Sequence, residues 1–238
     1  VVGPLVGGVI AVQYGLTAPF FASVFIIFGF GIWYLLQKHH GYAKPPLQKL
    51  TFNPIPTLKE YWKIKPLRGL SVLEASHQFS MPVLFVFIPL FLTRDLGLDV
   101  AQVGLAIFVR ELPMLFQFIG GKLTDEWGSR KVILLGGALS GVSMLALSLV
   151  NTFDWVLVIS FAFGIGTSLL GISGLSLLSG IAEKVKREGA LLGSQVSLVK
   201  IGAFVAYLLA GIIVSLSDIP TLFMVTGTII LLGVIVVE

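Results

Sequence analysis

The sequence predicts an all-α, polytopic membrane protein, and three observations carry the prediction. Of its 238 residues 56% are hydrophobic and only 12% charged, with a mean hydropathy of +0.98, whereas a soluble domain is roughly 25% charged. The apolar residues gather into eight runs, most of them near the ~20 residues that cross a hydrocarbon core of roughly 30 Å. None of the runs alternates as a barrel strand must, which leaves the helix as the spanning structure.

In chain order the runs cover 1–15, 19–37, 70–92, 100–121, 132–150, 155–182, 190–216 and 221–237. The first is short for a span, opens on Val1 and has neither the basic region nor the cleavage site of a signal peptide, so further sequence is expected ahead of it. Pro82, Pro89 and Pro113 fall inside runs; they would break soluble helices, but membrane helices accommodate them. The run 155–182 carries Gly164, Gly166, Ser168, Gly171, Gly174 and Ser179. Small residues so placed mark a helix that packs closely or lines a cavity.

The connections set the orientation. Lys38, Lys44, Lys49, Lys59, Lys63, Lys65 and Arg68 precede the third run, Lys122, Arg130 and Lys131 lie in one later loop, and Lys184, Lys186 and Arg187 in another. The opposite side shows only Arg94. The positive-inside rule therefore makes 38–68, 121–131 and 183–189 cytoplasmic in a cell membrane crossed several times. The segment 38–68, with Pro45, Pro46, Pro54 and Pro56, reads either as a linker or, around 58–64, as an interfacial helix with Tyr61 and Trp62 at headgroup level. The formal charge of +4 does not point to nucleic acid, because the basic residues sit in short loops rather than on one soluble face. With no cysteine, disulfides, thiolate metal sites and cysteine nucleophiles are excluded.

A repeat links the first run to the seventh: Gly3-Pro4-Leu5-Val6-Gly7-Gly8-Val9-Ile10 is similar to Ala206-Tyr207-Leu208-Leu209-Ala210-Gly211-Ile212-Ile213. The loop Gly121-Lys122-Leu123-Thr124-Asp125-Glu126-Trp127-Gly128-Ser129-Arg130-Lys131 resembles the Gly-x-Leu-x-Asp-x-x-Gly-x-Arg-Lys signature of the major facilitator superfamily, and Gly3-Pro4-x-x-Gly7-Gly8 resembles its helix 5 motif. Glu126 and Ser129 stand where that family usually has basic residues, and the copy in the seventh run lacks the Gly-Pro pair. Physically, Gly121 and Gly128 would permit the reversal between two helices, Asp125 would cap or face the positive end of a neighbour, and Arg130 and Lys131 would stay in water.

The resemblance implies a helical bundle in which 1–37 holds part of helix 5 and helix 6, 38–68 joins the two bundles, and 69–238 forms the six-helix C-terminal half, helices 7 to 12. Helices 1 to 4 would come from the parent chain. It also implies that helices 6, 9 and 12 are peripheral, that helix 7 lines the central cavity, and that helix 5 packs on helix 8 through Gly3, Gly7 and Gly8.

Ionisable side chains inside a span cost about 2.5–3.5 kcal/mol on insertion scales, so each demands a role. Five stand out: Glu74 and His77 in the third run, Arg110 and Glu111 in the fourth, and Lys200 in the seventh. The last three lie at similar depth, so Glu111 and Lys200 form either a structural pair or part of a substrate or proton site. Glu74 and His77 share a helix face with Gln78 and Ser71. They form either a proton relay or a hydrogen-bonded cluster closing the cytoplasmic end, and the shallow depth of Glu74 favours the cluster.

The function implied is secondary active transport of a small solute by alternating access, with proton coupling and an antiporter-like subgroup suggested by the Gly-Pro motif. The alternative is a non-transporting polytopic protein, an enzyme or a receptor. No metal-ligand or nucleophile constellation stands in the runs, so no metal, cofactor or catalytic residue is expected, and the partners are lipid, a small-molecule substrate and protons.

Overall fold

The computed structural model describes residues 3–36, 54–185 and 188–237, all of whose regular elements are helices. Expectations placed on 37–53 and on Lys186 and Arg187 lie outside the described residues. The helices are α1 (Gly3–Tyr14), α2 (Ala18–Leu36), α3 (Pro54–Lys63), α4 (Lys65–Asp95), α5 (Val100–Trp127), α6 (Ser129–Leu147), α7 (Phe153–Val185), α8 (Glu188–Leu216) and α9 (Ile219–Val237). Seven are long and apolar enough to cross a membrane, and α1 is a shorter apolar helix. The chain is a multi-pass membrane protein.

Local chemistry explains the boundaries. Gly15, at φ 89°, ends α1 in the left-handed region that glycine tolerates. Asp99 caps α5 in a reciprocal box: the Gln102 N–H donates to Asp99 Oδ1 at 2.8 Å and the Asp99 N–H to Gln102 Oε1 at 3.0 Å. Asp218 caps α9 by accepting from the Thr221 N–H at 2.8 Å, and hydrogen bonding to Thr221, through its side chain first and its backbone second, holds the exposed carboxyl below the usual aspartate range.

The prolines leave α4 and α5 as continuous spans with locally altered winding. Pro82 offers no N–H to Gln78, whose carbonyl instead accepts from Met81 at 3.0 Å. The backbone of α4 then widens into π turns over Val83–Phe87 and Phe91–Asp95, while α5 tightens into a 3₁₀ turn over Leu112–Phe116 around Pro113.

The bundle is organised about α6, which packs on α7 and α9; α9 also packs on α4, α4 on α8, and α5 on α7. Close approaches of small residues make this possible. A Cβ on Gly136 would lie 2.7 Å from the Gly166 carbonyl oxygen, and one on Gly227 2.8 Å from that of Gly141, so both α6 seams exclude any larger residue. By contrast α2 has no buried residue and contacts α1, which in turn rests on α5.

Two apolar clusters fill the interior. One gathers Val83, Leu92, Met144, Leu147, Phe163 and Phe223; the other gathers Tyr61, Leu67, Leu73, Ile133, Leu178 and Leu191. Between them, at the level of His77, Ser80, Ser140, Gly166 and Ser168, runs a belt of small and polar buried groups.

Candidate functional site

Three polar constellations occupy the bundle. The first ties α3, α4 and α8 together. The Tyr61 hydroxyl, wholly buried, lies 2.7 Å from Ser71 Oγ, and its single O–H has two acceptors in reach, the Leu67 carbonyl at 3.1 Å and Gln195 Oε1. Ser71 Oγ donates to the same Gln195 oxygen at 2.7 Å, and Gln195 Nε2 donates to Glu74 Oε2. Glu74 leans on α7 at Gly174, where a Cβ would come within 2.7 Å of Glu74 Oε1. Burial pushes the Tyr61 phenol up to about 12, so it remains a donor throughout the physiological range.

The second constellation lies deeper. His77 is buried, its Nε2 is 3.3 Å from Thr167 Oγ1, and its ring stacks on Phe163 at 5.6 Å between centroids. Glu74 and His77 share a face, as their spacing requires, yet they bond to different helices and not to each other. Gln78 Oε1 is buried without a hydrogen-bond partner among the described residues.

The third is the pair Arg110 and Glu111. Arg110 Nε donates to Glu111 Oε1 at 3.0 Å, a second donation comes from the guanidinium terminus, and the guanidinium carbon sits 5.7 Å from the centre of the Phe85 ring. Adjacent residues on a regular helix do not face each other. Here they meet where α5 gives way to its 3₁₀ turn at Leu112. A cavity of about 10 Å³, near the lower limit for one water, is bounded by Arg110, Ser143, Ser160 and Phe163. Phe163 thus joins the second constellation to the third.

The partner expected for Glu111 is corrected: Arg110 holds that carboxylate, while Lys200 is exposed and makes no ion pair among the described residues. Depth alone could not choose, because it ignores which way each helix faces. Ser197, Phe204 and Tyr207 share the exposed face of α8 with Lys200.

The loop motif needs a second correction. Gly121 lies inside α5, which runs six residues beyond the expected end, and Gly128, at φ 84°, makes the reversal by itself. Asp125 is helical and exposed, and no side chain caps α6. With Gly121 and Thr124 it borders an open groove of about 260 Å³ against Ile172, Ser176 and Ser179 of α7. Glu126 pairs with Lys122 at 3.8 Å, and Arg130 and Lys131 are exposed, as expected. In the helix 5 motif, Gly8 makes the close approach to α5: its Cβ would lie 3.4 Å from Gly104 Cα, and a Cβ on Gly104 2.7 Å from the Pro4 carbonyl oxygen. A Cβ on Gly3 or Gly7 would meet nothing within 4 Å beyond its own helix.

Sequence reasoning missed Gln195, Tyr61 and Gly104 as members of these contacts. Gln195 carries a signal, an amide inside an apolar run. The helical alternative around 58–64 places both Tyr61 and Trp62 at headgroup level; the helix observed covers Pro54–Lys63, with Tyr61 buried and Trp62 exposed.

Comparison with known proteins agrees with this architecture. The sequence matches the family described as Major Facilitator Superfamily over residues 70–238. It is 27% identical over 180 residues to the uncharacterized MFS-type transporter YvkA of Bacillus subtilis, covering 71% of this chain and 37% of that protein. It is 24% identical over 229 residues to the uncharacterized MFS-type transporter MJ1560 of Methanocaldococcus jannaschii, covering 93% and 58%. The multi-drug resistance efflux pump PmrA of Streptococcus pneumoniae is 26% identical over 161 residues, covering 66% and 40%. The chain spans 37% to 58% of the length of these relatives. With the family match extending over most of its length, the chain belongs to the major facilitator superfamily.

Proposed function

We propose that this chain is the C-terminal part of a secondary active transporter. Residues 1–37 would end a first bundle, 38–68 would join the bundles, and 69–238 would form the second bundle, which rocks against the first about a midplane site. The observation that carries the reading is Lys200. It stands about 18 Å along α8 at 1.5 Å per residue, exposed and without a carboxylate partner among the described residues. An ammonium at that depth facing lipid would cost about 2.5–3.5 kcal/mol, so its face of α8 borders a polar cavity shared with the first bundle.

The solute is a small organic molecule carrying an acceptor group or negative charge opposite Lys200. Efflux is favoured over uptake by the similarity to PmrA, a multi-drug resistance efflux pump. Glu74 and Glu111 are the candidates for proton coupling, with His77, Gln78 and Arg110 beside them, and the ends bearing Lys65, Arg130 and Lys184 face the cytoplasm of the plasma or inner membrane.

The test is dye efflux in proteoliposomes by the protein that contains this chain, with anionic and neutral fluorescent dyes and an imposed pH gradient. Lys200→Ala should lower efflux of anionic dye at least tenfold. An unchanged rate would remove Lys200 from the cavity, and an unchanged pH dependence in both Glu74→Gln and Glu111→Gln would discard them as coupling sites.

A further inference from the structure

A pocket of about 530 Å³ opens at the basic end of the bundle, between the starts of α4 and α6, Leu177 about two turns before the end of α7, and the last turn of α9. Lys65, Arg68 and Arg130 border it, over walls that include Ile133, Leu177 and Val236. No carboxylate lines it among the described residues. No side chain caps the first turn of α6, which follows Gly128, whereas at the start of α4 Pro66 has no N–H and the Ile64 carbonyl accepts from the Leu67 and Arg68 N–H groups at 3.0 Å. The dipole of α6 adds partial positive charge to that of the three side chains.

We propose that this pocket binds the headgroup of an anionic phospholipid. Its position is the first argument, because α4, α6, α7 and α9 all cross the membrane and their ends define headgroup level. Charge complementarity is the second: the cations and the positive end of α6 suit a phosphate diester with no ammonium attached, and a zwitterionic headgroup would bring its own cation into a cationic rim. The apolar walls are the third. A soluble anion has no use for Ile133, Leu177 and Val236, whereas a lipid lays its glycerol and first methylenes against them.

The experiment is native mass spectrometry of the full chain in mild detergent, titrated separately with phosphatidylglycerol and phosphatidylcholine, and repeated with inorganic phosphate as competitor. Wild type should retain one phosphatidylglycerol at least tenfold more tightly than Lys65→Gln/Arg68→Gln/Arg130→Gln, bind phosphatidylcholine equally in both, and keep its lipid against millimolar phosphate. A control, Lys59→Gln/Lys63→Gln/Lys122→Gln, removes the same charge outside the pocket and should bind as wild type; equal circular dichroism melts establish that both variants fold. Equal loss in the two variants would reduce the effect to diffuse attraction, displacement by phosphate would make it a free-anion site, and binding seen only in Glu238→Gln would give the pocket to the chain's own carboxylate. Each of these results overturns the proposal.

Discussion

Glu111→Gln removes the charge against which the Arg110 guanidinium is buried. Breaking a buried pair by deleting one partner costs about 3–5 kcal/mol, while replacing both partners by apolar residues of similar volume is close to neutral. The two side chains keep 10% and 21% of their exposure, so water offsets part of the loss and the expected cost falls to about 2–3 kcal/mol. At about 2–4 °C per kcal/mol for a chain of this size, the melting temperature in detergent should drop by roughly 4–12 °C, read by intrinsic fluorescence. Arg110→Met/Glu111→Leu should recover to within about 1 kcal/mol of the parent. Lys200→Met combined with Glu111→Gln should be additive within about 0.5 kcal/mol, since the two side chains do not meet. If the Arg110/Glu111 double variant is as unstable as the sum of its singles, or if Lys200 and Glu111 prove coupled, the pairing argued here is wrong.

Other substitutions probe the turn, the latch and the α1 seam. Gly121→Ala, inside α5, should raise thermal stability by about 0.4–1 kcal/mol, whereas Gly128→Ala, forced to φ 84°, should lower it by about 1–2 kcal/mol; the same sign at both positions would contradict the single-glycine turn. Because its folded pKa is raised to about 12, Tyr61 contributes stability that is complete below its ordinary value of 10 and declines as pH climbs from 10 toward 12. Melting temperatures recorded from pH 9 to 12 should therefore fall more steeply in the parent than in Tyr61→Phe, and parallel curves would refute its burial. Gly104→Val sets a side chain against the Pro4 carbonyl and should cost about 1–3 kcal/mol by overpacking, with α1 protease-sensitive, while Gly7→Val should leave both readouts unchanged.

The spans were legible because lipid imposes one requirement on every run, enough apolar residues in helical form, and composition reports that directly. Seven of the eight runs correspond to helices that satisfy it, and run 1–15 to the shorter α1. What composition could not report was facing. Depth matches Glu111 with Lys200, yet the guanidinium of the preceding residue, Arg110, reaches the carboxylate first, a contact between chain neighbours that depth does not report. Gly121 fits the turn as well as Gly128 by type; only the left-handed φ of Gly128 separates them. Gly8 and Gly104 form one seam from two runs, and half of a seam leaves no mark that distinguishes it from the idle Gly3 and Gly7.

The two carboxylates inside the bundle differ in what their bonds connect. Glu111 is held by its own neighbour on α5, so any shift of α5 against other helices carries the pair along intact. Glu74 sits on α4, takes its donor from Gln195 on α8, and depends on Gly174 of α7 for space. A movement of α8 relative to α4 must break that amide–carboxylate bond, and a neutral Glu74 would give up a charge-assisted bond, roughly twice as strong as a neutral one, for a weaker link. The Tyr61 hydroxyl, bonded to the same amide, ties α3 to the same event. Protonation and helix displacement are therefore energetically linked at Glu74 and independent at Glu111. If one of the two couples protons to a conformational change, the connectivity of the bonds selects Glu74, despite its shallower depth.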